Sequence, residues 1–173
     1  MSITPDDKNW TWVVERACPE CGFDASAIDV GDVAGLLAAN SAEWHALLRS
    51  PGAHDVRPVP SKWSALEYGC HVRDCIRIYD YRLRRMLEED GPSYPGWDQD
   101  ATAVEERYGE QDPVTVADEL LEASRSLEAR FAGVTGEQWR RTGHRSDGAS
   151  FTVETFARYF IHDPIHHWHD VRG

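Results

Sequence analysis

Four stretches of this 173-residue chain repeat their apolar residues at three- and four-residue intervals, and almost nothing alternates at period two. That pattern restricts the fold to packed amphipathic helices. The first stretch, 29–49, carries Val33, Leu36, Leu37, Trp44, Leu47 and Leu48 on one stripe. Asp29 is placed to cap it, and Pro51-Gly52 ends it. The second opens with Ser64 and Glu67 in a capping box, flanked by Trp63 and Tyr68 at staple positions. Its stripe is Val72, Ile76, Tyr79, Leu83 and Met86, and it should stop near Asp90, before Gly91-Pro92. The third begins at Asp112-Pro113, a cap followed by proline at the first helical position, with Val116, Leu120, Leu127 and Phe131 on one face. The fourth starts near Thr152, after an Asp147-Gly148 turn, and carries Phe156, Tyr159 and Phe160.

Four such helices predict an all-α fold, a four-helix bundle spanning residues 29–173. Residues 91–111 form a connection long for a bundle, which implies a crossover or a lid over a site. Residues 1–28 read as an irregular arm anchored by Trp10, Trp12 and Phe23. A net charge of −12 argues against binding nucleic acid, which rests on clustered Lys and Arg. No apolar run is long enough to span a bilayer, and the first residues lack a signal peptide's basic start and apolar stretch. The expectation is a cytoplasmic protein with no membrane partner, acting on a small molecule.

Chemistry enters with the histidines. His162 and His166 lie one turn apart on the last helix, close enough to share a metal ion. His71, at the edge of the second helix's stripe, could supply a third nitrogen and leave coordination positions open, as catalytic sites do. Imidazole ligands suit zinc, nickel, iron or copper. His169 falls near the same face and could replace one of the pair, whereas His167 points into the stripe as a packed, hydrogen-bonded residue. Pro164, between His162 and His166, removes a backbone hydrogen bond and should kink or offset the last turns.

The cysteines are less decided. Cys18-Pro19-Glu20-Cys21-Gly22 resembles half of a zinc knuckle whose other half is missing. Inert thiols, a redox pair and metal binding all remain open for it. Cys70 and Cys75 sit about 140° apart on their helix and do not converge. Cys75 follows His71 by one turn and reads either as a filler of the bundle or as a thiol beside the metal. Glu67 could orient His71, though capping already accounts for it, and Tyr94, Trp97 and Tyr108 could line a pocket or simply pack.

Two segments carry a family resemblance: Trp63-Ser64 with Gly69-Cys70-His71-Val72-Arg73-Asp74, and Phe151-Thr152-Val153 with His162-Asp163-Pro164-Ile165-His166-His167. From about residue 29 to the C-terminus the chain resembles the DinB/YfiT-like superfamily. The resemblance implies a four-helix bundle, often dimeric, with a divalent metal held by three histidines at His71, His162 and His166, zinc foremost and nickel or iron as alternatives. Several members resemble mycothiol-dependent maleylpyruvate isomerase or mycothiol and bacillithiol transferases. That implies an enzyme activating a low-molecular-weight thiol or water for transfer, isomerisation or hydrolysis. The rival reading is a non-catalytic, stress-linked binding or interaction module with the same fold.

Overall fold

The structure is a computed structural model that describes residue 3 and residues 8–172. The described elements are α1 (Val33–Arg49), α2 (Ala65–Glu88), β1 (Ser93–Tyr94), α3 (Gln99–Glu105), α4 (Pro113–Ala132), β2 (Thr142–Arg145), β3 (Ser150–Thr152) and α5 (Val153–Arg172). Short 3-10 turns join them.

The helix starts form where their caps stand. Asp29 accepts from the Gly31 N–H and opens a 3-10 turn that runs into α1. At α2 both halves of the capping box are made: Ser64 Oγ accepts from the Glu67 N–H, and the Glu67 carboxylate accepts from the Ser64 N–H. Trp63 and Tyr68 meet edge-on across this start, with ring centroids 5.5 Å apart. At α4, Asp112 accepts from the Thr115 N–H ahead of Pro113. The stripes of α2 and α4 are buried along their whole length. In α1 the solvent boundary runs through Leu36 and Leu47, which are half-buried, while Val33, Leu37, Trp44 and Leu48 are covered.

The bundle is not a simple up-and-down one. α4 packs against both α1 and α2, and α5 packs against the same two helices from the other side. The consecutive helices α1 and α2 therefore stand diagonally across the bundle, as do α4 and α5. The chain crosses over in the α1–α2 and α4–α5 connections. The long segment 91–111 joins neighbouring helices, so it is not the crossover of the two expected alternatives.

The expectation of an all-α chain also needs correction. A three-stranded sheet lies beside the bundle, with β1 parallel to β2 and β2 antiparallel to β3. The Asp147-Gly148 turn closes the β2–β3 hairpin, with Gly148 at φ 95°. These strands are two to four residues long, too short to show an alternating pattern. The sheet ties the long connection to the start of α5: the His144 N–H donates to the Pro92 carbonyl and the Ser146 N–H to that of Tyr94.

Among the described residues no helix is long and apolar enough to cross a membrane. The N-terminal arm lies along α5, where Arg158 donates to the carbonyls of Ala25, Ser26 and Ile28. Phe23 packs on the core, and Val13, Cys18 and Ala25 are buried.

Candidate metal centre

α5 runs unbroken through Pro164. The Pro164 carbonyl accepts from Asn40 Nδ2 and Trp44 Nε1 of α1, which seats that turn of α5 against the bundle. The register that results sends two neighbouring pairs of side chains, each one turn apart, in different directions. Asp163 and His167 face α2, while His162 and His166 face the arm.

The trio expected from the sequence, His71, His162 and His166, is thereby split between two groups. His71 is joined by Asp163 and His167. His162 and His166 are joined by Cys18 and Cys21. Within each group, one ligand-type atom per residue lies within 4.8 Å of every other. The physical reason is angular: adjacent helical residues are rotated by about 100°, so a shift of one position exchanges one face for the next. His169 is exposed and joins neither group. His167, expected to pack and hydrogen-bond, has its Nδ1 3.1 Å from Asp170 Oδ2 and also turns its Nε2 toward Asp163.

His71 is the most constrained member. Its side chain is 0 % exposed, and neither ring nitrogen has a hydrogen-bond partner. Nε2 lies 3.4 Å from Asp163 Oδ1, an oxygen that is itself buried without a hydrogen bond. The His71 and His167 rings meet nearly perpendicularly, with centroids 4.7 Å apart, and Trp97 stacks on His71 at 5.1 Å and 10°. Burial lowers the His71 pKa below the ordinary histidine value, despite the neighbouring Asp163, so the imidazole is neutral and carries a free lone pair at pH 7.

These features fit a divalent metal. A buried imidazole with both nitrogens unbonded is costly unless an acceptor of its lone pair is supplied. Two imidazoles and one carboxylate form a donor set used by catalytic zinc and iron sites. Asp170 on His167 Nδ1 is the kind of carboxylate partner that fixes a ligand's tautomer and leaves Nε2 for the ion.

A cavity of about 260 Å³ opens beside this group. Asp163 and His167 line it, as do His162 and His166 on its other side, together with Trp97, Trp10, Tyr159, Asp98 and Asp100. Asp98 caps α3 through the Ala101 N–H, so the start of α3 carries these acids to the cavity wall. Of the three aromatics expected from the long connection, only Trp97 faces this space. Tyr94 and Tyr108 are buried in the packing, and Tyr108 donates to Asp74 Oδ2 at 2.7 Å.

The free cysteines of α2 supply no ready nucleophile. Burial pushes the Cys70 thiol up to about 12 and raises Cys75 well above its ordinary value. Cys75 is part of the core cluster and also lies against Asp163, whose charge adds to burial in raising its thiol, so it both fills the bundle and stands beside the candidate ligands. Glu67 is engaged by Ser64 and Arg57, as its capping role requires.

Asp163 is the residue that spacing alone could have offered. It stands four positions before His167, as His162 does before His166. Nothing local in the sequence pairs Cys18 and Cys21 with His162 and His166, which lie more than 140 residues away.

Comparison with known proteins agrees with this architecture. No curated protein sequence matches the chain. A solved structure of YfiT from Bacillus subtilis, described as a probable metal-dependent hydrolase with an unusual four-helix bundle topology, superimposes with a TM-score of 0.71 at 18% identity, covering 94% of each chain. The sequence profile of the DinB superfamily matches residues 49–171, most of the bundle, and on that match this chain belongs to the DinB superfamily.

Proposed function

We propose that this protein is a metal-dependent enzyme acting on a small molecule in the cavity beside the start of α3, with the ion held by His71, Asp163 and His167. The observation that carries the reading is His71: a fully buried neutral imidazole with no hydrogen bond, facing an equally unbonded carboxylate oxygen. This set is preferred to His71, His162 and His166 because ligand atoms of the latter two group with the arm's cysteines and not with His71. The likeness to YfiT supports hydrolysis as the reaction type; transfer or isomerisation with a low-molecular-weight thiol uses the same parts.

A bound divalent ion would lower the pKa of a water or thiol so that it becomes a nucleophile near pH 7. The protein's own residues do the rest. Asp163 contributes negative charge, and His71 and His167 contribute neutral nitrogens. Asp170 holds the His167 ring in register. Trp97 covers the His71 face and excludes water from it. Asp98 and Asp100 present carboxylates to the cavity as proton acceptors, and Tyr159 presents a phenol to orient a substrate. The proton acceptors at the start of α3 favour an enzyme over a purely structural module.

The test is metal analysis of the purified full chain, with a screen of ester, amide and electrophilic substrates in the presence and absence of small thiols. His71→Ala should lose one metal equivalent and all turnover. Unchanged metal content in His71→Ala overturns the assignment. A metal-loaded protein inert toward every substrate class favours the binding-module reading.

A further inference from the structure

The second group of ligand-type side chains is a separate set, two of whose members, His162 and His166, border the same cavity. Cys18 Sγ lies 3.7 Å from His166 Nδ1, and Cys21 Sγ lies 3.7 Å from His162 Nε2. One ligand-type atom from each of the four residues lies within 4.8 Å of the others. Zinc–sulfur bonds of about 2.3 Å and zinc–nitrogen bonds of about 2.0–2.1 Å, set at a tetrahedral angle, separate S from N by about 3.5–3.6 Å. The two S–N spacings of 3.7 Å match such an edge to within about 0.2 Å.

The backbone around the cysteines is shaped accordingly. The Gly22 N–H donates to the Cys18 carbonyl at 2.8 Å, and the Cys18 N–H donates to that of Phe23 at 2.9 Å. Gly22 adopts φ 75°, a left-handed conformation that glycine allows. This tight loop turns both thiols to one side. Cys18 and both histidines are buried, and Cys21 is half-buried. Trp10 packs over the opposite side, its ring 5.4 Å from that of His162 and 5.0 Å from that of His166. The far nitrogen of His166, Nε2, looks toward Asp170 Oδ2 at 3.7 Å and Glu20 Oε2 at 3.8 Å, the outer carboxylates that orient a ligating imidazole.

We propose that Cys18, Cys21, His162 and His166 form a closed tetrahedral zinc site that fastens the N-terminal arm to α5. Two thiolates and two imidazoles are the soft, four-coordinate set of structural zinc. Binding displaces one proton from each thiol to solvent, so Zn²⁺ with two thiolates and two neutral imidazoles carries no net charge, which suits a mostly buried position. Four protein ligands leave no open coordination position, so this ion would be structural even though His162 and His166 border the same cavity as Asp163 and His167. The cysteines lie outside residues 49–171, so the site is an addition to the bundle that the family profile describes. It also supplies the missing half of the Cys18–Cys21 knuckle.

The test uses the full chain. Cobalt loading should give the near-ultraviolet thiolate-to-cobalt charge-transfer band and the visible spectrum of tetrahedral cobalt. That signature should persist in His71→Ala and vanish in the Cys18→Ser/Cys21→Ser double variant, which should also hold one zinc equivalent fewer than the unaltered protein. The unaltered protein supplies a check that needs no variant to fold: titrating its thiols with a mercurial should release one zinc for the first two thiols modified. Absence of the charge-transfer band, its survival in the double variant, or recovery of a Cys18–Cys21 disulfide from reduced, zinc-supplied protein overturns the proposal. Because the band comes only from thiolate ligands, its presence or absence is read independently of the His71 site.

Discussion

Gly143 of β2 offers a quantitative test of how tightly the sheet is seated on the bundle. A Cβ at this position would meet Met86 Cγ at 2.7 Å, Met86 Sδ at 2.9 Å and Tyr94 Cε1 at 2.9 Å. Favourable contact between such atoms lies at about 3.5–4.0 Å, so each pair is short by roughly 0.6–1.3 Å. Neither neighbour has solvent to retreat into, since Met86 is 0 % exposed and Tyr94 2 %. Gly143→Ala should therefore behave as an overpacking substitution costing about 1–3 kcal/mol. At about 2–4 °C per kcal/mol for a chain of this size, the expected fall in Tm is roughly 2–12 °C by circular dichroism. The control is a double-mutant cycle. Met86→Ala alone should cost about 2–5 kcal/mol through its cavity. Combined with Gly143→Ala, it gives the added methyl group somewhere to go, so the second substitution should cost at least about 1 kcal/mol less in that background. Additivity within about 0.3–0.5 kcal/mol would refute the steric argument.

Other outcomes follow from buried polar groups. Burial works against ionising Glu67, yet hydrogen bonds from Arg57 and the Ser64 N–H outweigh it and hold the carboxyl below its ordinary value. The native state therefore binds this proton less readily than the unfolded chain, so the stabilisation is present above the unfolded glutamate pKa and is lost as pH falls through the lower native value. Urea midpoints should drop in acid, and Glu67→Gln, which keeps an acceptor for Ser64, should flatten that dependence; an unchanged slope counts against it. Tyr108→Phe removes the hydroxyl that donates to Asp74 and should cost about 1.5–3 kcal/mol in equilibrium unfolding, with a loss below about 0.5 kcal/mol speaking against the bond. In native metal-free protein at pH 8, an aromatic disulfide reagent should leave Cys70 and Cys75 unmodified, while all four thiols react in denaturant; mass spectrometry of native protein modified at Cys75 would contradict its burial.

Legibility in the sequence followed the range of the interactions. Ser64 with Glu67, Asp112 before Pro113, and the stripes of α2 and α4 are local, so each was readable from a few neighbouring residues. The sheet was not, because β1 finds β2 about fifty residues away and each strand is too short to carry a period. Nor was the diagonal arrangement of α1 and α2, since an apolar stripe says that a helix packs without naming the helix it meets.

For the candidate site, one-turn spacing on α5 identified a ligand-bearing segment but could not choose a face. His162 with His166 and Asp163 with His167 satisfy the same rule, and a rotation of about 100° separates them. Only packing settled which pair looks at His71, through the seating of the Pro164 turn on Asn40 and Trp44. The sequence alone determined that this chain makes helices, where they begin, and that its last helix is rich in metal-ligand side chains. The tertiary structure decided which of those side chains share a point in space and brought Cys18 and Cys21 to His162 and His166. Caps and stripes are set within a few residues, whereas the meeting of groups more than 140 residues apart depends on the packing of every helix between them.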